Sequence, residues 1–396
     1  MRASIRSQTR SRAAFGGYAM ALLLGFTGCS STPDGAGSTG SSDSSAAPPT
    51  TSGYSVQNAL STLPALESDE MITVVTADLD AATEQAGLER PTSFDDTDGH
   101  IAWLYPLTGV THENIEPAPV FVPLAQGFQV DYLMAPMEPT FPEEVGWSVL
   151  DAATFAERQT LPQLLTVVTG DFDSTTFPQS LPEVADGVVT AGEGNDHAQD
   201  IAHPTMARPL GIPLRMSIKD STIAAGRSTD ELTQWLNGPD ESLADDPELA
   251  AVAAALDDAD AVSAVVSSGA IHSIEDLAAV PGGTSQMKDE LAGMIPAGSF
   301  DTVGIGWAAA NGDPVITVAY AFASDGDASD AVPVFEEMFA NAPSITSGTP
   351  LSDFYSLQDA QADGSVVVLT LGPGDAGAPI TAYHALMEND LPFVNQ

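Results

Sequence analysis

Ile72-Thr73-Val74-Val75-Thr76-Ala77-Asp78-Leu79-Asp80 opens with five β-branched residues in succession. Branching at Cβ restricts χ1 and suits an extended, packed chain, so the run reads as a strand. Residues 81–87 then read as a helix that the Asp at the strand's end can cap. The pattern returns 93 residues later as Leu165-Thr166-Val167-Val168-Thr169-Gly170-Asp171-Phe172-Asp173, with Thr, Val, Val, Thr, Asp and Asp in register. A helix-like segment over 174–181 follows the second copy as well. We therefore expect a duplicated strand–helix unit. In that reading Asp80 and Asp173 are helix N-caps, each worth about 1 kcal/mol. The alternative makes Asp78, Asp80, Asp171 and Asp173 a cation or catalytic cluster, which requires the two units to face each other.

Outward from the repeat, 54–63 reads as a short helix stopped at Pro64. Residues 106–142 hold seven prolines, yet Val120-Phe121-Val122, Phe128-Gln129-Val130 and Tyr132-Leu133-Met134 are strand-like; proline at this density confines strands to edges and short pieces. This region is either a packed connector or a groove exposing Phe121, Phe128, Tyr132 and Met134. A helix is expected over 152–159, a surface loop over 187–204, and a hairpin from 212–218 and 221–225 about Lys219-Asp220. Ser228-Thr229-Asp230-Glu231 forms a capping box for a helix through Leu236, stopped by Gly238-Pro239. Asp246-Pro247 starts a helix over 248–256. A strand at 262–266 and helices at 274–280 and 285–294 complete a first domain, 54–298. A second, 299–396, reads ββα–ββα. Its strands 300–309 and 315–322 flank Asn311-Gly312, a strong hairpin signal. A helix at 329–341, a hairpin of 354–357 with 365–371 about Asp363-Gly364, and a helix at 379–388 follow. The fold class is α+β, with mostly antiparallel sheets and helices packed on one face.

The N-terminus decides where this body sits. Arg2, Arg6, Arg10 and Arg12 precede a short apolar run too brief to span a bilayer, the layout of a secretory signal over 1–28. Its end, Phe26-Thr27-Gly28-Cys29, resembles a bacterial lipobox, with Phe26 where the family usually has leucine. The resemblance implies diacylation of Cys29, the sole cysteine, and anchoring to the extracytoplasmic face of the cell membrane. The alternative is an ordinary cleaved signal with a stray cysteine. Residues 29–53, rich in Ser, Thr, Gly, Ala and Pro, bury too little apolar surface to order and read as a tether with a reach of about 25–30 Å. The mature body then has no thiol, which excludes disulfides, Cys-based metal sites and cysteine nucleophiles. With no run of 18 apolar residues after Cys29, the acyl chains are the expected membrane attachment. The acylated signal, the tether and the Gly170-Asp171-Phe172-Asp173 strand end together resemble the extracytoplasmic lipoproteins of high-GC bacteria. In the body this resemblance covers 146–173, and it carries no activity and no functional residues.

Of 55 acidic and 11 basic residues, Asp34, Asp43 and the four signal arginines precede Tyr54, leaving the body 53 against seven, a formal charge of −46. Such a body repels nucleic acid and anionic head groups. GC-rich coding and solubility by self-repulsion both produce this acidity. A cationic partner or metal ions would equally exploit it.

No Gly-x-Ser-x-Gly elbow, Walker loop, dinucleotide fingerprint or His-Glu-x-x-His helix occurs, and no cofactor is implied. Gly304-Ile305-Gly306 lies inside an expected strand. Asp196, His197, Asp200 and His203 are a weak metal candidate, because His and carboxylate suit zinc; a solvated loop is the alternative. Asp95-Asp96-Thr97-Asp98-Gly99 imitates a calcium loop without its closing Glu and reads better as a capped turn. Arg208, Arg215, Lys219 and Arg227 gather four of the body's seven cations, with Arg215, Ser217 and Lys219 on one strand face. They either pair with neighbouring carboxylates or contact an anion or partner. The function expected is a non-enzymatic binding or assembly module of the cell envelope, its partner an envelope protein or anionic ligand. The alternative is an extracytoplasmic hydrolase using dispersed carboxylates or the weak metal site.

Overall fold

The computed structural model describes residues 53–66, 71–110, 115–130, 139–160, 163–269, 271–275 and 291–396. The chain begins with α1 (Val56–Ser61), β1 (Ile72–Asp78), α2 (Leu79–Gln85), α3 (Thr97–Leu107) and α4 (Phe141–Val145). There follow β2 (Ala152–Thr160), β3 (Gln163–Gly170), β4 (Glu183–Ala185), β5 (Val188–Ala191), β6 (Leu214–Lys219) and β7 (Thr222–Gly226). Next come α5 (Thr229–Asn237), α6 (Pro247–Asp258) and β8 (Ser263–Ser268), then β9 (Phe300–Ala310) and β10 (Asp313–Phe322). The chain closes with α7 (Asp325–Asn341), α8 (Leu351–Phe354), β11 (Tyr355–Asp363), β12 (Val366–Pro373) and α9 (Thr381–Met387). Among the described residues all twelve strands join one sheet, ordered β11-β12-β10-β9-β8-β1-β2-β3-β7-β6-β5-β4. Every ladder is antiparallel. The fold is α+β, as its sequence pattern indicates.

β1 sits in the middle and explains why. Its last five residues are buried, so both faces of the strand need an apolar cover. Val74 joins one core and Val75 and Ala77 the other; Val167 and Val168 of β3 divide in the same way. Helices α1, α5 and α6 pack on the first face, and α2, α3, α7 and α9 on the second. The expectation of helices on one face is corrected accordingly. The boundary drawn at 298/299 is crossed by the β8–β9 ladder, in which Val265 lies opposite Ile305. The segments 54–298 and 299–396 thus contribute to one sheet.

The repeat is half right. β1 and β3 share orientation and facing, but only the first copy has a helix after it. There Asp78, not Asp80, is the N-cap, accepting from Ala81 N at 2.8 Å. After β3 the chain turns, and Asp173 accepts from Thr175 N and Oγ1 at 2.7 and 2.6 Å. Pro178 and Pro182 are poor continuations for a helix there. The helix expected over 152–159 is instead β2, because β1 and β3 need an antiparallel strand between them. Tertiary pairing overrides the helical propensity of Ala, Glu, Arg and Gln.

The proline-rich stretch is a packed connector across 115–130. It holds a 3₁₀ turn (Gln126–Phe128) and no strand. Phe121 and Phe128 are buried. The Phe121 ring meets Trp307 edge-on at 4.9 Å, and Phe128 meets Phe155 at 5.1 Å. Tyr132 and Met134 lie outside the described residues, as does most of 274–294.

Local turn chemistry holds. Asn311 and Gly312 take φ of 57° and 87° between the paired Ala310 and Asp313, the twist a two-residue hairpin turn requires. The β6–β7 turn centres on Asp220-Ser221, both at positive φ, one residue later than expected. Ser228 caps α5 through Glu231 N, and Asp246 caps α6.

Candidate functional site

Because β2 lies between them, β1 and β3 run parallel, and both carboxyl ends reach the same end of the sheet. An open cleft of about 730 Å³ forms there, lined by Asp80, Arg90, Asp151, Asp171, Phe172 and Thr222 among others. Arg90 fixes one wall. Its Nη1 donates to the carbonyls of Leu150 and Ala152 at 3.3 and 2.7 Å, Nη2 lies 2.9 Å from Asp80 Oδ1, and its guanidinium sits 4.9 Å above the Trp103 ring. Burial lowers the Arg90 pKa, and Asp80 opposes that shift. The four repeat carboxylates do not converge. Asp78 is buried as a helix cap and Asp173 folds into its own turn, while Asp80, paired with Arg90, and Asp171 both line the cleft. Among the described residues no group of three or more His, Asp or Glu side chains is placed to hold a metal ion.

The basic hairpin is built differently from an anion site. Arg215 is 1 % exposed. Its Nε donates to Asp196 Oδ1 at 2.8 Å, Nη2 to the Gly194 carbonyl at 2.8 Å, and Nη1 to Thr190. Asp196 also accepts from Thr229 N and Oγ1, both at 2.7 Å. Burial works against its ionisation, but the bonds from Thr229 and Arg215 outweigh it and hold the carboxyl below the usual range. The result ties the 192–196 loop to β6 and to the start of α5. The strand alternation of Arg215, Ser217 and Lys219 is as expected, but α5 packs on that face. Lys219 Nζ donates to Leu236 O at 3.0 Å, a cation at a helix C-terminus, where the dipole favours it. Arg208 Nε donates to Glu144 at 2.7 Å. Arg227 lines two neighbouring depressions, one of which also holds Asp196 and His197. The four cations therefore occupy separate contacts and do not form one cluster.

Of the metal candidates, Asp196 is bound to Arg215. Asp200 accepts from His203 Nδ1 at 2.9 Å on the exposed surface, a bond that lowers its pKa. Asp96 caps α3 through Gly99 N at 3.0 Å, so the calcium-like stretch is a capped turn. Sequence reasoning overlooked Glu157, fully buried, and Arg158, 2 % exposed, neighbours on opposite faces of β2. In the helix expected over 152–159 neither residue carries a role. Read as a strand, the same pair would have signalled one buried charge on each face.

Against models of protein families and against curated proteins the sequence has no match. Among solved structures it is similar to crystal form I of TP0453, at 8% identity over 80% of this chain and 91% of that one, with a TM-score of 0.33. Likeness of that degree establishes no common fold.

Proposed function

We propose that the protein is a lipid-anchored extracytoplasmic lipoprotein serving as a non-enzymatic binding or assembly module of the cell envelope, and that the surface it recognises is cationic. One observation carries the second half. Arg90, Arg158, Arg208, Arg215 and Lys219, five of the seven cations of the body, are each bonded to carboxylates or carbonyls of the same chain. The carboxylate surplus is left to solvent and to partners, and complementary charge both steers association and rejects anionic competitors. The anchor rests on Phe26-Thr27-Gly28-Cys29 and the tether after it.

The test is fractionation with labelled fatty acid, comparing the native chain with Cys29→Ala, followed by salt elution of partners cross-linked in native envelopes. Label on the native chain alone, a variant lost from membranes or left unprocessed, and a partner released by salt support the proposal. A processed variant that stays membrane-bound removes the acyl anchor from it. Partners that resist salt remove the electrostatic part.

A further inference from the structure

The two edges of the sheet are unlike. β4 ends it on one side with three residues, too short to template another strand. β11 ends it on the other with nine, and among the described residues it pairs on one side only, with β12. Its ladder is regular from Asp359 to Asp363 after a shift at 357–359. Over that stretch Asp359, Gln361, Ala362 and Asp363 are exposed. A long edge leaves a row of backbone donors and acceptors without strand partners, which proteins ordinarily cover, shorten or charge. Here α7 packs against the strand, and the strand's exposed charges are of one sign. Asp359 and Asp363 stand on the strand, Asp325 lies beside the turn at Gly364, and no Lys or Arg follows Lys288.

We infer that β11 is a docking edge for an extended, lysine- or arginine-bearing segment of a partner protein, which adds as a further strand. Backbone bonding would supply the affinity and Asp359 and Asp363 the choice of partner, since opposite charges across a strand pair attract and like charges repel. The same carboxylates turn away a second copy of this chain, whose β11 would bring Asp against Asp. The inference rests on the reading of the protein as a module for a cationic partner and places that contact.

The probe is an alternating Lys-Val peptide about as long as β11, titrated by anisotropy into the full acylated chain in detergent. An alternating Glu-Val peptide and a Lys-Val peptide N-methylated at every second residue are the controls. We expect binding of the Lys-Val peptide alone, hydrogen-exchange protection of β11 amides, and affinity about tenfold weaker for Asp359→Lys with Asp363→Lys. No binding overturns the inference, as does equal binding of the methylated peptide, protection away from β11, or dimerisation through β11 in place of peptide binding. The methylated peptide acts on the native chain and does not depend on the variant folding. Repeating the titration on Cys29→Ala separates this from the anchor, because strand addition survives loss of the acyl group.

Discussion

Glu157 gives the sharpest test of how the fold is fastened. It is fully buried with no cation among its bonded partners, and each carboxylate oxygen takes two donors. Oε1 accepts from Gln126 N at 2.8 Å and Gln159 Nε2 at 2.9 Å; Oε2 accepts from Gly127 N at 2.8 Å and Thr166 Oγ1 at 2.7 Å. The carboxylate therefore pins the 126–128 turn onto β2 and β3. In Glu157→Gln the amide oxygen keeps one pair of donors, and the NH₂ replaces the other oxygen. One backbone N–H then faces another N–H, and a buried donor left unmet costs about 1–3 kcal/mol. The remaining bonds fall from charge-assisted to neutral strength, a loss of about 1 kcal/mol each. The cheaper burial of a neutral group offsets part of this. The net expectation is about 2–4 kcal/mol, which a domain with about 5–15 kcal/mol of stability survives at 25 °C. Urea titration followed by tryptophan fluorescence reads it, with Trp147 centred 6.2 Å from the Phe128 ring of the pinned turn. Hydrogen exchange at Gln126 and Gly127 should accelerate in the same variant. A loss under about 1 kcal/mol with both amides as protected as before would refute the assigned role.

On the opposite face, Arg158 donates to Pro64 O at 2.7 Å and pairs with Glu231. Glu231→Ala should cost about 3–5 kcal/mol in urea denaturation by stranding a buried guanidinium, whereas Arg158→Met with Glu231→Leu should recover most of it. His100 is 2 % exposed. Burial holds its pKa below the ordinary 6.5, partly offset by the carbonyl groups of Phe94 and Ser93 and by Asp96. The neutral ring is thus favoured in the folded state. Its contribution to stability is whole above 6.5 and declines as pH falls through the lowered value. Midpoints measured downward from pH 7 should fall more steeply for the native protein than for His100→Phe; parallel curves would remove His100 from the acid response.

How much of this was legible follows from the range of each contact. The Asn311-Gly312 turn and the Ser228 and Asp246 caps are properties of a few consecutive residues, and the sequence displays them. β2 was read as a helix because what buries its charges lies elsewhere: 31 residues away for Glu157 with Gln126, and 94 for Arg158 with Pro64. For the basic hairpin the sequence leaves two readings open, and Arg208 and Arg215 follow the one in which they pair with carboxylates of the chain. Alternation places Arg215 and Lys219 on one face, but not the helix that covers that face, nor the acid 64 residues distant that takes Arg208. These charges are alike in holding the fold through partners distant in sequence. A body with seven cations that commits five of them to internal bonds retains few for its surface. The recognition proposed above accordingly uses carboxylates, with the positive charge on the partner.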